Sequence, residues 1–315
     1  MPNTQSFPLY SDSTATTNTS FIFEDHNKNL LNQHNEPDPP QTTLDPPRIN
    51  EPHGDDPSIK DEANDRWYLQ NINGTSTELD WIEWKDQMKT LQDLKVDGFS
   101  FTETNLIWTP EQIRKARKLG GDRFKQFRLI TSASNDPTSR PSYQPGGTCT
   151  GVTNKLSGRI IEEGNDPSGL GRWSYYCLEG KSTGNDKKGV PIPRRIYVVT
   201  AYCVAQTDSA KPGHDTAFMQ QKRLLTLKGI ENPKPRKQWT DDLTLQLESW
   251  IWEDAEIILC MDANADLLEP ALQKMLSTTG LIDLVAHQLG SCLPETYVRG
   301  KRTIDHIFER RTSRI

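Results

Sequence analysis

From Arg66 onward the chain alternates short apolar blocks with polar breaks, and the blocks follow two periods. RWYLQNINGTS (Arg66 to Ser76) reads as a strand that ends at Asn71, Asn73 and Gly74. Trp81, Trp84, Met88, Leu91 and Leu94 then recur at three- and four-residue spacing, the stripe of a helix packed on one side. Asp80, with Glu83 three residues later, predicts a capping box at its start, and Asp97 and Gly98 mark its end. GFSFTETN follows as a second strand with Glu103 in its polar tail. Strand, helix and strand in that order predict a parallel pair, which brings Asn71 and Glu103 to one sheet edge.

Thr109, Pro110 and Gln112 open a basic helix that carries Arg114, Lys115, Arg117 and Lys118 and stops at Gly120 and Gly121. FRLIT, TCTGVT after the Gly146-Gly147 turn, RWSYYCLEG and RRIYVVTAY come next without helices between them, a pattern that predicts an antiparallel meander. The last of these ends at Tyr202. Helical spacing returns from Asp215 to Leu227 and from Thr240 to about Glu253, with the basic, proline-broken NPKPRKQW between them. A β-rich run, Ile257 to Met261, stops at Asp262 and Asn264; a helix from Pro270 to Gly280 follows, then LIDLV, then a strand in TYVRGKRTIDHIF with Asp305 and His306. Two halves of this kind predict an α/β chain with two sheets packed face to face and helices outside.

Composition changes this picture at the amino end. Hydrophobic content is only 33%, with 21 prolines, because residues 1–64 are rich in Asn, Asp, Ser, Thr and Pro and show no periodic apolar pattern. That segment reads as a disordered tail and residues 65–315 as one domain. The tail has neither the basic flank nor the apolar core of a secretory signal, and no apolar run approaches the length of a membrane span, so the expectation is an intracellular protein, cytoplasmic or nuclear. The formal net charge of −6 is concentrated in the tail, which leaves the domain near neutral and does not exclude a polyanionic substrate. Cys149, Cys177, Cys203, Cys260 and Cys292 lack paired spacing and mostly fall in apolar runs, as buried thiols in a reducing compartment do.

Asn71, Glu103, Tyr202, Asp262, Asn264 and Asp305 all end or occupy predicted strands. In extended backbone Asp262 and Asn264 point to the same side, so a carboxylate and a carboxamide can meet one ligand atom at the carboxyl end of a buried strand. Taken singly, each position reads equally as a turn cap, a solvated acid or a packed tyrosine. In combination they carry more. NING at Asn71 to Gly74, the Glu of TET at Glu103, TAY ending at Tyr202, DAN at Asp262 to Asn264 and TIDHIF at Thr303 to Phe308 match, in order, motifs of the endonuclease/exonuclease/phosphatase superfamily. The sequence resembles that family from roughly Trp67 to Phe308.

The resemblance implies a four-layered α/β sandwich of two packed mixed sheets flanked by helices, hydrolysing phosphoesters with Mg²⁺ or Mn²⁺. It implies Glu103 and Asn71 as metal ligands, Asp262 orienting or deprotonating water, Asn264 holding phosphate or nucleophile, and Tyr202 donating to a phosphoryl oxygen. Asp305 would match the acid that orients a catalytic histidine. Two features depart from the pattern: Met261 stands where the family has Gly, and no Ser-Asp-His follows in the ten residues after Asp305. His306 is then the candidate imidazole, although strand neighbours face opposite sides. The expectation is a metal-dependent DNA endonuclease, of mobile-element type, truncated before its last strand and slow in cleavage. A phosphatase for an inositol phosphate or phospholipid headgroup, and an inactive nucleic-acid-binding remnant, stay open beside it.

Overall fold

The computed structural model describes residues 19–23 as backbone, and residues 60–61, 63–77, 79–136, 142–185, 187–205, 213, 215–289, 296 and 302–311. β1 (Thr19–Phe23) is followed by β2 (Asp65–Asn71), α1 (Ile82–Asp93), β3 (Gly98–Thr102), α2 (Pro110–Gly121), β4 (Phe127–Ser132) and β5 (Thr148–Thr153). The short α3 (Asn154–Ser157) leads into β6 (Ile160–Asn165), β7 (Trp173–Asn185) and β8 (Pro191–Tyr202). Then come α4 (Ala217–Leu227), α5 (Pro235–Trp252), β9 (Glu256–Asp262), α6 (Pro270–Thr279), β10 (Ile282–Asp283), α7 (Leu284–Leu289) and β11 (Asp305–Arg310).

The strands form two mixed sheets. The first has the order β1-β2-β3-β5-β4, and the second β10-β11-β9-β8-β7-β6. β2 and β3 are parallel, as their strand–helix–strand order predicts, and β8 and β9 are a second parallel pair. The expected meander is split: β4 and β5 pair in the first sheet, β6 to β8 in the second, and α3 carries the chain across. β1 lies in the stretch where the sequence predicts no element, pairing parallel with β2 from Thr19↔Asp65 to Phe23↔Leu69.

Three apolar clusters make four layers. One joins α1 and α2 to the outer face of the first sheet through Trp84, Met88, Phe99 and Phe101. Another joins α5 and α6 to the outer face of the second sheet through Leu243, Leu247, Leu259 and Phe308. Between the sheets lies a third, with Trp67, Tyr176, Val198, Cys260 and Ile307. Alternation along the strands sends successive side chains to these layers in turn, so the chain is an α/β sandwich. Gly98 has a steric cause: a Cβ there would meet the Trp67 ring at 1.9 Å. Where the two sheets meet below the site, hydroxyls replace carbon. Trp67 Nε1 donates to Ser100 Oγ at 3.1 Å, Thr200 Oγ1 to Ser100 Oγ at 2.8 Å and Thr150 Oγ1 to Thr200 Oγ1 at 2.7 Å, leaving these buried polar atoms paired.

Two local expectations change. Asp80 does not cap α1: its backbone is left-handed (φ 54°), and it pairs with Lys85 and Lys115, while Glu83 accepts from Ser76 N. The capping box forms instead at Thr109 and Gln112, where each side chain accepts from the other's backbone N–H. α5 begins at Pro235, five residues before the expected Thr240, because a proline at the first helical position gives up no needed N–H. Cys149, Cys177, Cys203 and Cys260 are buried and free, and Cys292 lies outside the described residues. No helix among the described residues is long and apolar enough to cross a membrane.

Candidate active site

The register of the second sheet sets three site residues in one row. Tyr202 of β8 is level with Asp262 of β9, which is level with Asp305 of β11. Odd residues of β9, such as Leu259 and Met261, belong to the outer cluster, while Cys260 faces the other sheet, so Asp262 faces inward. Tyr202 follows Val198 and Thr200 on the inner face of β8, and Asp305 precedes Ile307 on that of β11. From the first sheet Asn71 arrives on the inner face of β2, after Trp67 and Leu69.

Glu103 reaches the same place by breaking alternation. Ser100 and Thr102 face inward on β3 and Phe99 and Phe101 outward, so a regular strand would send residue 103 outward. Glu103 has φ 50°, and the left-handed turn brings its carboxyl beside Asn71 and Tyr202, whose side chains favour its charged form. Asn264 is also left-handed, at φ 45°. Asp262 and Asn264 therefore meet through a tight turn and not through the extended backbone expected from their spacing: Asn264 N donates to Asp262 Oδ1 at 3.0 Å. Non-glycine residues held at positive φ cost about 1–3 kcal/mol and gather at functional sites.

Asn71 ties the sheets together, donating from Nδ2 to Asp262 Oδ2 at 2.8 Å and accepting from Asn73 N at 2.9 Å. Asn264 Nδ2 donates to Cys203 O at 2.9 Å. Asp262 is fully buried, and its proton affinity is pushed well above the usual carboxylate range, first by desolvation and then by the neighbouring Asp305 and Glu103. Burial likewise raises Glu103, against the hydrogen bonds from Tyr202 and Asn71. The Tyr202 phenol is driven far upward by burial and by the two acids beside it, so it stays protonated and a donor.

Two contributors escaped the sequence reading. Gly146 (φ 80°) lies against the Tyr202 ring: a Cβ there would stand 3.0 Å from Cε1 and 3.4 Å from the Ala217 Cβ, so glycine lets the ring seat. The glycine pair read only as a turn. Arg236, in the basic, proline-broken segment, donates from one guanidinium nitrogen to Val204 O at 2.9 Å and Ala263 O at 3.4 Å.

The structure thus brings Asn71, Glu103, Tyr202, Asp262, Asn264 and Asp305 together at one end of the sandwich. His306 is a correction. It faces the opposite side of β11, stacked on Phe308 and 1% exposed, with Nδ1 2.9 Å from Asp283 Oδ2 and Nε2 3.2 Å from Ala265 O. With both nitrogens engaged behind the sheet, it cannot touch a substrate at Asp262.

The donor chemistry fits a hard divalent cation. Oxygen ligands and an excess of buried acid favour Mg²⁺ or Mn²⁺ over softer metals. Among the described residues no three His, Cys, Asp or Glu side chains form a cluster that could hold an ion by themselves. Glu103 with the Asn71 carboxamide is therefore the candidate pair, suited to Mg²⁺, which keeps several waters.

Two mixed sheets stacked face to face, each with helices on its outer surface and with acids at one shared strand end, define the class of α/β sandwich. Solved structures similar to the chain include endonuclease/exonuclease/phosphatase proteins. The Xenopus laevis APE2 catalytic domain is 14% identical, with a TM-score of 0.49 over 78% of this chain and 81% of that one. The human Nocturnin catalytic domain, with bound sulfate, is 14% identical, with a TM-score of 0.45 over 72% and 75%. An endonuclease/exonuclease/phosphatase family protein from Leptotrichia buccalis is 14% identical, with a TM-score of 0.40 over 78% and 86%. No protein-family model matches the sequence, and no curated protein matches it.

Proposed function

We propose that the chain is a divalent-metal-dependent phosphodiesterase acting on nucleic acid, with DNA as the foremost substrate. One observation carries this reading: three acids, Glu103, Asp262 and Asp305, share one strand end with a carboxamide that bridges the sheets, and burial first, then the neighbouring acids, hold Asp262 well above its ordinary range. Glu103 and Asn71 would hold Mg²⁺ or Mn²⁺, which when bound supplies a Lewis acid for the phosphoryl oxygen and for the departing alkoxide.

The chain's own residues then have separable tasks. Asp262, fixed at one oxygen by Asn71 and at the other by Asn264 N, is aimed as a proton acceptor for an attacking water. Burial first, and then its neighbour Asp305, raises its affinity for that proton. Tyr202 keeps its proton and donates to a phosphoryl oxygen as charge develops there. The Asn264 side chain, anchored on Cys203 O, holds the turn beside the reacting phosphate.

A polymeric anion is favoured over a small one by the flanks of the site. Arg114 and Lys118 are exposed on α2, which leaves the Glu103 loop, while Lys234 and Lys237 are exposed where α5 begins beside the Asp262 turn. Basic side chains on the two helices that follow site segments suit a phosphate backbone, Lys237 being shared with Asp241. The test compares bis(p-nitrophenyl) phosphate with p-nitrophenyl phosphate in Mg²⁺ or Mn²⁺. The diester should turn over and the monoester much more slowly; preferential monoester hydrolysis would replace this reading with that of a phosphatase.

A further inference from the structure

The Asp262-Ala263-Asn264-Ala265 turn has a second set of contacts behind it. Asn264 occupies a left-handed conformation that its own hydrogen bonds only partly fix, since they tie its N–H to Asp262 and its side chain to Cys203. The carbonyls on either side of it, Ala263 O and Ala265 O, point away from the cleft, and each meets a cationic or polar donor from a different element. One terminal nitrogen of Arg236 of α5 donates to Val204 O at 2.9 Å and to Ala263 O at 3.4 Å, and the other donates to Glu269 Oε2 at 3.1 Å. His306 of β11 stands 3.2 Å from Ala265 O and 2.9 Å from Asp283 Oδ2. Asp283 is itself fixed, because its Oδ1 accepts from Ala286 N at 2.8 Å at the start of α7.

We propose that the turn carrying Asp262 and Asn264 is set by two side-chain pairs behind it, Arg236–Glu269 and His306–Asp283, which makes Arg236 and His306 positioning residues of the site. The proposal rests on the phosphodiesterase reading for its consequence in turnover, though not for its geometry. Both His306 nitrogens lie within hydrogen-bond distance of oxygen, Nδ1 at Asp283 Oδ2 and Nε2 at Ala265 O, so the ring bridges the start of α7 to the turn. The two donors grip peptides one residue before and one residue after Asn264. That is the arrangement needed to hold a strained residue in place, because rotating either peptide to relax φ would pull a carbonyl off its donor. Neither side chain enters the cleft, so neither touches substrate; they act through the carbonyls they hold, as outer partners of a catalytic group do.

The test separates positioning from mere stability. His306→Phe with Asp283→Asn removes both ring contacts, leaves no unpaired buried charge, keeps an acceptor for Ala286 N and lets an aromatic ring stack on Phe308. Arg236→Met is an independent variant at a less buried site that keeps the aliphatic stem. Two readouts are taken from the full chain: amide hydrogen exchange of Asn264, with Leu259 in the middle of β9 as reference, and kcat and KM on bis(p-nitrophenyl) phosphate with Mn²⁺. Each variant should speed Asn264 exchange at least tenfold, leave Leu259 unchanged, lower kcat about 10- to 100-fold and leave KM within about twofold. Unchanged Asn264 exchange overturns the proposal, and so does faster exchange in which Leu259 rises equally, since that is global loosening. If the unsubstituted chain does not hydrolyse the diester, the functional reading fails, while Asn264 exchange still decides whether the pairs set the turn.

Discussion

Asp262→Asn gives the sharpest view of the buried acids because it changes how stability depends on pH. In the folded chain Asp262 binds its proton well above the usual range, for want of solvent and because Asp305 and Glu103 lie near. In the unfolded chain it titrates near 3.9. The folded state therefore carries the extra proton, and the sign follows: this group's stabilising contribution is full below pH about 4 and is lost as pH rises toward and through the folded value. Within that window one proton is worth about 1.4 kcal/mol per pH unit, or about 3–6 °C in Tm for a domain of this size. The carboxamide removes the titrating group and also relieves Glu103, whose own rise has the same sign. It offers one acceptor to two donors, Asn71 Nδ2 and Asn264 N, an offset of about 1–3 kcal/mol that does not vary with pH. The assay is urea unfolding at half-unit steps from pH 5 to 8 in EDTA. Without metal the unsubstituted chain should lose stability as pH rises and the variant should lose less, by up to the slope above. Parallel curves for the two proteins would refute the account of the buried acids.

Further outcomes follow from the same geometry. Mg²⁺ or Mn²⁺ should raise Tm by preferential binding to the folded chain, and Glu103→Gln should remove that rise; an undiminished rise takes Glu103 out of the metal site. Gly146→Ala places a Cβ at φ 80° and 3.0 Å from the Tyr202 ring, so it should cost about 1–2 kcal/mol in urea unfolding and lower turnover by displacing the phenol. Normal turnover in that variant would show that the Tyr202 position does not matter. The tail boundary proposed at residue 64 should shift slightly toward the amino end under limited proteolysis, because Lys60 pairs with buried Asp97, the side chains being 7% and 6% exposed; rapid trypsin cleavage at Lys60 would contradict that.

Much of this architecture is visible in the sequence where apolar runs end abruptly. β2, β8 and β9 each stop at a polar residue, and the residue parity within those strands is enough to put Asn71, Tyr202 and Asp262 on inward faces. The parallel β2–β3 pair follows from an amphipathic helix between two strands. Glu103 shows where that logic runs out: alternation sends it outward, and only the positive φ at the strand end, invisible in residue type, turns it in. Asn264 likewise arrives by a turn and not by strand periodicity. The Asp305–His306 dipeptide suggests a catalytic imidazole, yet the pleat that delivers Asp305 to the cleft must send His306 behind the sheet, where Asp283 awaits it. Arg236 was hidden by its setting, since it follows Pro233 and Pro235 in a basic, proline-broken segment and only the tertiary fold makes Pro235 a helix start.

Relaxation of supercoiled plasmid reads out the proposed hydrolysis of a DNA phosphodiester by the cluster at the strand ends with a divalent cation. The unsubstituted chain should nick the plasmid in Mg²⁺ or Mn²⁺ and not in EDTA, and Asp262→Ala should lower the rate by about 10²- to 10⁴-fold, the usual contribution of a positioned general base. Nicking that persists unchanged in Asp262→Ala, or no nicking in either metal, would contradict the account.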